Sequence, residues 1–140
     1  MIFKFLLLSE EVENYSRELE IDADDTFLDL HKLIMKCNGY EEGSSNFSFF
    51  LCNDRWKKKE EISLHEIDKY SDEDSYVMEE EVLSDWLEDE KDKLIFIFDY
   101  PNNRGLFMEL SEIVFGENLS KGKCLERVGE APIQFLQEEE

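Results

Sequence analysis

Hydrophobic positions first cluster from Ile2 to Leu8, a Phe- and Leu-rich run that predicts a largely buried strand. Ser9 to Glu13 is a polar connection. From Tyr15 to Asp22 the chain alternates, with Tyr15, Arg17, Leu19 and Ile21 on one face and Ser16, Glu18, Glu20 and Asp22 on the other. Alternation of this kind marks a half-exposed antiparallel strand, and the short connection joins the two strands as a hairpin. The period then changes. Phe27, Leu30, Ile34 and Cys37 recur at helical spacing, with Leu33 beside them. Thr26 supplies an N-cap and Asp29 stands three residues on, as in a capping box. Lys32 and Lys36 suit the C-terminal end of the macrodipole, and Gly39 ends the helix.

Farther along, "NFSFFLC" predicts a strand with Phe47, Phe49 and Leu51 on one face, followed by a turn at Asn53-Asp54 and a short strand at "EISL". Val82, Leu83, Trp86 and Leu87 share one helical face, which predicts a short second helix near residues 80–88 docked by Leu83 and Trp86. Leu94 to Phe98 is continuously apolar, as in a central strand covered on both faces. "PNNRG" is a turn, and Leu106, Met108 and Leu110 face one way on the strand that follows. Beyond Phe115 the pattern fades; Lys121-Gly122-Lys123 reads as a loop. The fold class expected is α+β: a β-hairpin, one main helix, then antiparallel strands in a mixed or antiparallel sheet with the short second helix. A β-grasp-like first half is the alternative topology. Residues 1–135 form one expected domain, with 136–140 as a frayed acidic tail.

Charge changes the picture more than any motif. The 36 acidic and 15 basic residues leave a net charge of −21. Asp68 to Asp92 alone holds twelve acids and two lysines. Nucleic-acid affinity arises largely from Lys and Arg neutralising phosphates, so neither nucleic acid nor an anionic membrane is an expected partner. The one basic run, Lys57-Lys58-Lys59, is followed directly by Glu60 and Glu61 and reads as a solvated turn. With 41% hydrophobic and 13% aromatic content the chain is a folding sequence rather than a disordered one. No apolar run approaches the ~18 residues of a membrane span. The N-terminal run is interrupted by Lys4, runs into acids and lacks a cleavage site, so a strand fits better than a signal peptide.

Candidate chemistry is sparse. Cys37, Cys52 and Cys124 are odd in number and widely spaced, which reads as reduced, buried thiols in a cytoplasmic protein. Cys124 stands beside Lys123, a cation of the kind that activates a thiolate. His31 reads as a partly exposed helix histidine and His65 as a loop histidine. Neither pairs with cysteine at a ligand spacing, and no zinc site is expected. Asp72, Glu73, Asp74 and Ser75 offer oxygen ligands for a hard cation but lack the order of an EF-hand loop. No nucleotide or hydrolase fingerprint occurs, and no cofactor and no catalytic residue is assigned. Trp56, Tyr70, Tyr76 and Tyr100 lie outside the clear elements. They are either satellite packing under loops or aromatic anchors ringed by charge.

Four stretches, in order, resemble one family: "TFLDLHKLIMKCNGY", "EVLSDWL" before a strand, the hairpin "FDYPNNRGLFMELSEI" and the late "GKCLERVGEAP". Together they resemble the plasmid pRiA4b open-reading-frame-three-like family, sometimes labelled insertion-element passenger proteins, over roughly Ile2 to Pro132. "SFFLCNDRW" and "SDEDSYVM" look like its acidic, Bacteroidetes-type form. The resemblance implies an α+β fold and a bacterial or archaeal intracellular protein; it implies no activity. Many members read Asp-Phe-Gly-Asp-Gly-Trp-Glu-His where this chain has Asp99 to Leu106. Asp99 keeps the first acid, while Asn102, Arg104 and Leu106 replace the second acid, the Trp and the His. A late family Cys is Ala131 here. The function expected is a non-enzymatic acidic interaction module whose partner is a basic protein surface. The alternatives are a small enzyme with a carboxylate or Cys124 site, or a hard-cation-binding protein.

Overall fold

The structure, a computed structural model, describes residues 1–43, 45–66 and 75–136. Among the described residues the strands are β1 (Ile2–Leu8), β2 (Ser16–Asp22), β3 (Ser48–Cys52), β4 (Lys58–Ser63), β5 (Tyr76–Val77), β6 (Lys93–Asp99), β7 (Arg104–Val114) and β8 (Lys123–Val128), and the one α-helix is α1 (Phe27–Asn38). They form an α+β arrangement in which one sheet runs in the order β5-β4-β3-β6-β7-β1-β2-β8. Every neighbouring pair is antiparallel except β4 with β5, so the sheet is mixed. The neighbour of β1 on its other side is β7 rather than a strand of the first half, which corrects the β-grasp alternative.

The hairpin forms as its alternation dictates. Phe3 opposes Ile21 and Phe5 opposes Leu19, all fully or nearly fully buried. α1 starts where its cap says. The Thr26 hydroxyl accepts from the Asp29 amide at 3.2 Å, and the Asp29 carboxylate accepts from the Thr26 amide at 3.0 Å. Gly39 takes the left-handed conformation, φ 69°, that ends the helix at little steric cost. The helix lays Phe27, Leu30, His31 and Ile34 on the sheet, with Phe27 edge-on to Phe49 at 5.4 Å. Full burial of each large apolar side chain contributes about 1.5–3 kcal/mol before entropy is counted.

β6 is central, as its apolar run requires. Leu94, Phe96 and Phe98 join the core under α1. Ile95 and Ile97 are buried on the opposite face, with no helix of the described residues over them. On that face Trp56 meets Phe107 edge-on at 5.0 Å, and Lys93 and Lys58 lay their ammonium groups over Trp56 and Phe50. Gly105 sits here because a Cβ would lie 2.8 Å from the Phe96 carbonyl and 2.9 Å from an Ile95 methyl.

Three expectations are corrected. Residues 80–88 make only a single 3-10 turn at Leu83–Asp85. The Phe27 and Leu28 amides at the start of α1 donate to the carbonyls of Glu81 and Met78, and the Leu83 and Ser84 amides donate to Asp25 and Ala23. A segment whose backbone groups satisfy another helix's orphan donors cannot form its own ladder. Leu83 and Leu87 are still buried, as the stripe implied. Lys58 and Lys59 belong to β4 rather than a turn, because that strand begins three residues before "EISL". The fading region after Phe115 contains β8, an edge strand on β2 whose exposure leaves it no hydrophobic period to read.

The cysteines are a further correction. Cys37 and Cys124 form a disulfide, with Cα atoms 6.0 Å apart, because β8 runs beside the last turn of α1. Cys52 alone is free; burial pushes its thiol pKa up, which keeps it protonated.

Candidate functional site

A cleft of about 530 Å³ opens at the end of β6. Asp99, the last residue of that strand, and the turn Pro101-Asn102 form one wall, Glu42, Gly43 and Ser45 another, and Gln134 to Leu136 the third. Phe47 and Phe98, both buried in the core, form the floor, and Phe135 at the rim is 60% exposed. Among the described residues the cleft is lined by two carboxylates, Glu42 and Asp99, and by no cation.

Asp99 is fixed in place. Its oxygens accept from Asn102 Nδ2 at 3.0 and 3.1 Å and from Arg104 Nη1 at 3.1 Å. Arg104 uses all five of its donors. Nε and Nη2 grip Glu11 at 3.1 and 2.7 Å, Nη1 reaches Asp99 and the Gln134 carbonyl, and Nη2 also reaches the Ile133 carbonyl at 2.7 Å. Its plane lies 4.9 Å over Phe98. The third wall is further pinned by Tyr40, which donates to the Pro132 carbonyl at 2.6 Å, and by paired bonds between Glu41 and the Gln134 amide. One arginine therefore neutralises a carboxylate and builds the cleft wall.

Glu42 carries the free charge. Its Oε2 lies 2.7 Å from Nε2 of His31, a fully buried residue wedged against Phe47 and Phe96. Burial lowers the His31 pKa, and the bond and charge of Glu42 oppose that only in part. A neutral imidazole must donate from Nε2 to the carboxylate, which leaves Nδ1 as a buried acceptor without a partner. His31 was expected to be partly exposed; it lies four residues after Phe27 and three before Ile34, inside the apolar stripe, so its burial was readable.

A pH dependence follows. In the unfolded chain the imidazole titrates near about 6.5. The folded pKa is lower, so between the two values the unfolded state binds more protons, and stability falls as pH falls. Wild-type protein is expected to lose stability relative to His31→Gln as pH falls below about 6.5. Denaturant titrations at each pH measure this; parallel curves for the two proteins would contradict it.

The cleft adjoins a second, of about 810 Å³, with which it shares Asn102 and Leu136. Glu10, Glu11 and Trp56 line the second, together with Lys58 and Arg104. Trp56 and Tyr76 are packed, Tyr76 edge-on to Trp86 at 4.8 Å, and the Tyr100 hydroxyl donates to Glu61 at 3.0 Å. Tyr70, Asp72, Glu73 and Asp74 lie outside the described residues, and Ser75 is exposed just before β5. Cys124 is bonded to Cys37 and presents no free thiolate. Leu106, at the position of the family's His, is fully buried in the core. Among the described residues no group of three or more His, Cys, Asp or Glu side chains is placed to hold a metal ion. No described helix is long and apolar enough to cross a membrane.

A free carboxylate, Glu42, beside an aromatic floor suits a cationic side chain, which gains both charge pairing and ring-face attraction. Among known proteins, the family described as plasmid pRiA4b ORF-3-like protein matches residues 3–134. The fold is similar to that of MM3350, a protein of unknown function from Methanosarcina mazei Go1: TM-score 0.68, 18% identity, covering 90% of this chain and 68% of that one. No curated protein matches.

Proposed function

The chain belongs to the plasmid pRiA4b ORF-3-like family, and from that premise we propose that it is a non-enzymatic acidic interaction module whose cleft takes a basic segment of a protein partner. One observation carries the reading. On a chain of net charge −21, the cleft at the end of β6 joins unneutralised Glu42 to an aromatic floor and an exposed apolar rim. Aromatic anchors inside a charged rim are a common composition of protein interfaces. The overall charge speeds encounter with a basic partner and the cleft supplies specificity; the first effect fades as added salt shortens the Debye length, about 10 Å at 0.1 M.

The reading places the protein in the cytoplasm of a bacterium, without a cofactor. The two alternatives have less support. The enzyme reading invoked a carboxylate, assigned to no particular residue, or Cys124, which is disulfide-bonded, and the hard-cation reading invoked residues of which only Ser75 is described.

Calorimetric titration with an Arg- and Phe-containing cationic peptide tests the proposal. Glu42→Gln is expected to weaken binding by about tenfold, the size of a charge-assisted contact worth ~1.5 kcal/mol. Glu130→Gln, an exposed acid outside the cleft, serves as control and should change affinity by less than about twofold. Equal losses in the two variants would reduce the interaction to unspecific attraction by the whole charge and defeat the proposal.

A further inference from the structure

Cations are scarce in this chain, yet they converge at one place. A cavity of about 350 Å³ lies between the last turns of α1 and β8. Four of its eight lining residues are cationic, namely Lys36, Lys121, Lys123 and Arg127, and none is acidic. The wall they surround is the Cys37–Cys124 disulfide. Each cysteine directly follows one of the lysines, and Arg127 Nε donates to the Cys37 carbonyl at 3.3 Å. An adjoining hollow of about 270 Å³ shares Lys36 and Lys121 and adds Lys32, with Asp25 and Asp29 at its far side.

We propose that the Cys37–Cys124 disulfide is a site of reversible exchange with a small anionic thiol, which the surrounding cations recruit. A protein of net charge −21 repels anions in general, so an anion reaches this bond only because of the local field. The two sulfurs are not equivalent. Cys37 is 4% exposed, whereas Cys124 is half-buried and faces the cavity from an edge strand. The incoming thiolate therefore attacks Sγ of Cys124. A bond forms between the attacking sulfur and Cys124 Sγ as the Cys124–Cys37 bond breaks, and the electron pair leaves on Cys37 Sγ, which takes a proton from water. A second thiolate attacks its own kind in the mixed disulfide and releases Cys124 as a thiolate. In sum, two small thiols are oxidised to their disulfide and the protein disulfide is reduced to two thiols; the reverse reaction restores it.

Exchange rates depend on access and on how well the leaving sulfur bears charge. Cys37 is a poor leaving group by position, since it is buried and lies at the negative end of the α1 dipole. Lys36, Lys123 and Arg127 counter both effects, as cations near a thiol favour its thiolate. Disulfides that occur in reducing compartments are chiefly transient and redox-sensing ones, and this site has the electrostatics of that kind. It shares no residue with the cleft at the end of β6, so each reading stands or falls alone.

The test uses the oxidised full chain, with reduced glutathione as anionic probe and cysteamine as cationic probe, compared at equal thiolate concentration. Glutathione is expected to react at least about tenfold faster at low salt, in the range of electrostatic steering, despite the opposing charge of the whole protein. Mass mapping of acid-quenched samples should find the adduct on Cys124. The advantage should fall below about threefold in Lys121→Gln/Lys123→Gln, and likewise in the wild-type chain at about 1 M salt, where the Debye length is about 3 Å; the salt arm needs no variant to fold. Faster reaction with cysteamine, adducts on Cys37 or Cys52, or three free thiols in protein equilibrated with oxidised glutathione would each overturn the proposal.

Discussion

Arg104→Ala is expected to destabilise the protein by about 2–3 kcal/mol, at or below the low end measured when one partner of a fully buried ion pair is removed, because this pair is only part-buried. The side chain is 10% exposed and Asp99 is 11% exposed, so the carboxylate left behind is held by Asn102 alone. Two further acceptors, the carbonyls of Ile133 and Gln134, lose their donor, and Glu11 is released. The consequence is local as well as global. The segment 132–136 remains tied only through Tyr40 and Glu41, so its amides should exchange faster with solvent and the cleft should lose a wall. Urea unfolding measures the first effect and hydrogen exchange the second. Arg104→Lys should recover less than half of the loss, since a single ammonium cannot span Glu11, Asp99 and two carbonyls. An unchanged unfolding midpoint in the alanine variant would show that the five-bonded arginine is only decoration.

Phe96→Ala should cost more, about 4 kcal/mol, within the range for deleting a buried aromatic. Phe96 is fully buried at the middle of the central strand, with ring centroids of Phe49, His31 and Phe47 at 4.9, 5.6 and 6.1 Å. The surrounding sheet cannot collapse into the void, because its strands are held in register on both sides by β3 and β7. Phe96→Leu, which keeps most of the volume, should cost less than about 1.5 kcal/mol. A void beside His31 also admits water, so the alanine variant should show a weaker loss of stability at acid pH than the wild type. Denaturant curves at two pH values read both effects; a loss below about 1 kcal/mol would mean that the core repacks freely around this ring.

Both predictions rest on residues that were legible to different degrees. Phe96 sits in a run of apolar residues whose length and β-branched content mark a buried strand from the sequence alone. Arg104 carried no such mark. It occupies a turn-proximal position where an exposed arginine is the ordinary case, and its five partners come from residues 11, 99, 133 and 134. Glu42 is likewise anonymous among 36 acids until the chain places it on His31. The stripe Val82, Leu83, Trp86 and Leu87 reported burial correctly for Leu83 and Leu87 but reported the wrong backbone. A buried spacing of one turn is met equally by a helix and by a strap that crosses a helix end, and the contest was decided by the unsatisfied amides of α1.

Read by itself, the chain determined the α1 caps, the β1–β2 hairpin, the central and partner strands β6 and β7, and the excess of negative charge. Each of these follows from residues within a few positions of one another, where period and hydrogen-bonding side chains act directly. Tertiary structure alone decided that β8 exists, that Cys37 meets Cys124 across 87 residues, and that two carboxylates and four cations gather at separate hollows. These depend on which strand edges meet when the sheet closes, and exposed polar residues leave no local pattern that records such a meeting.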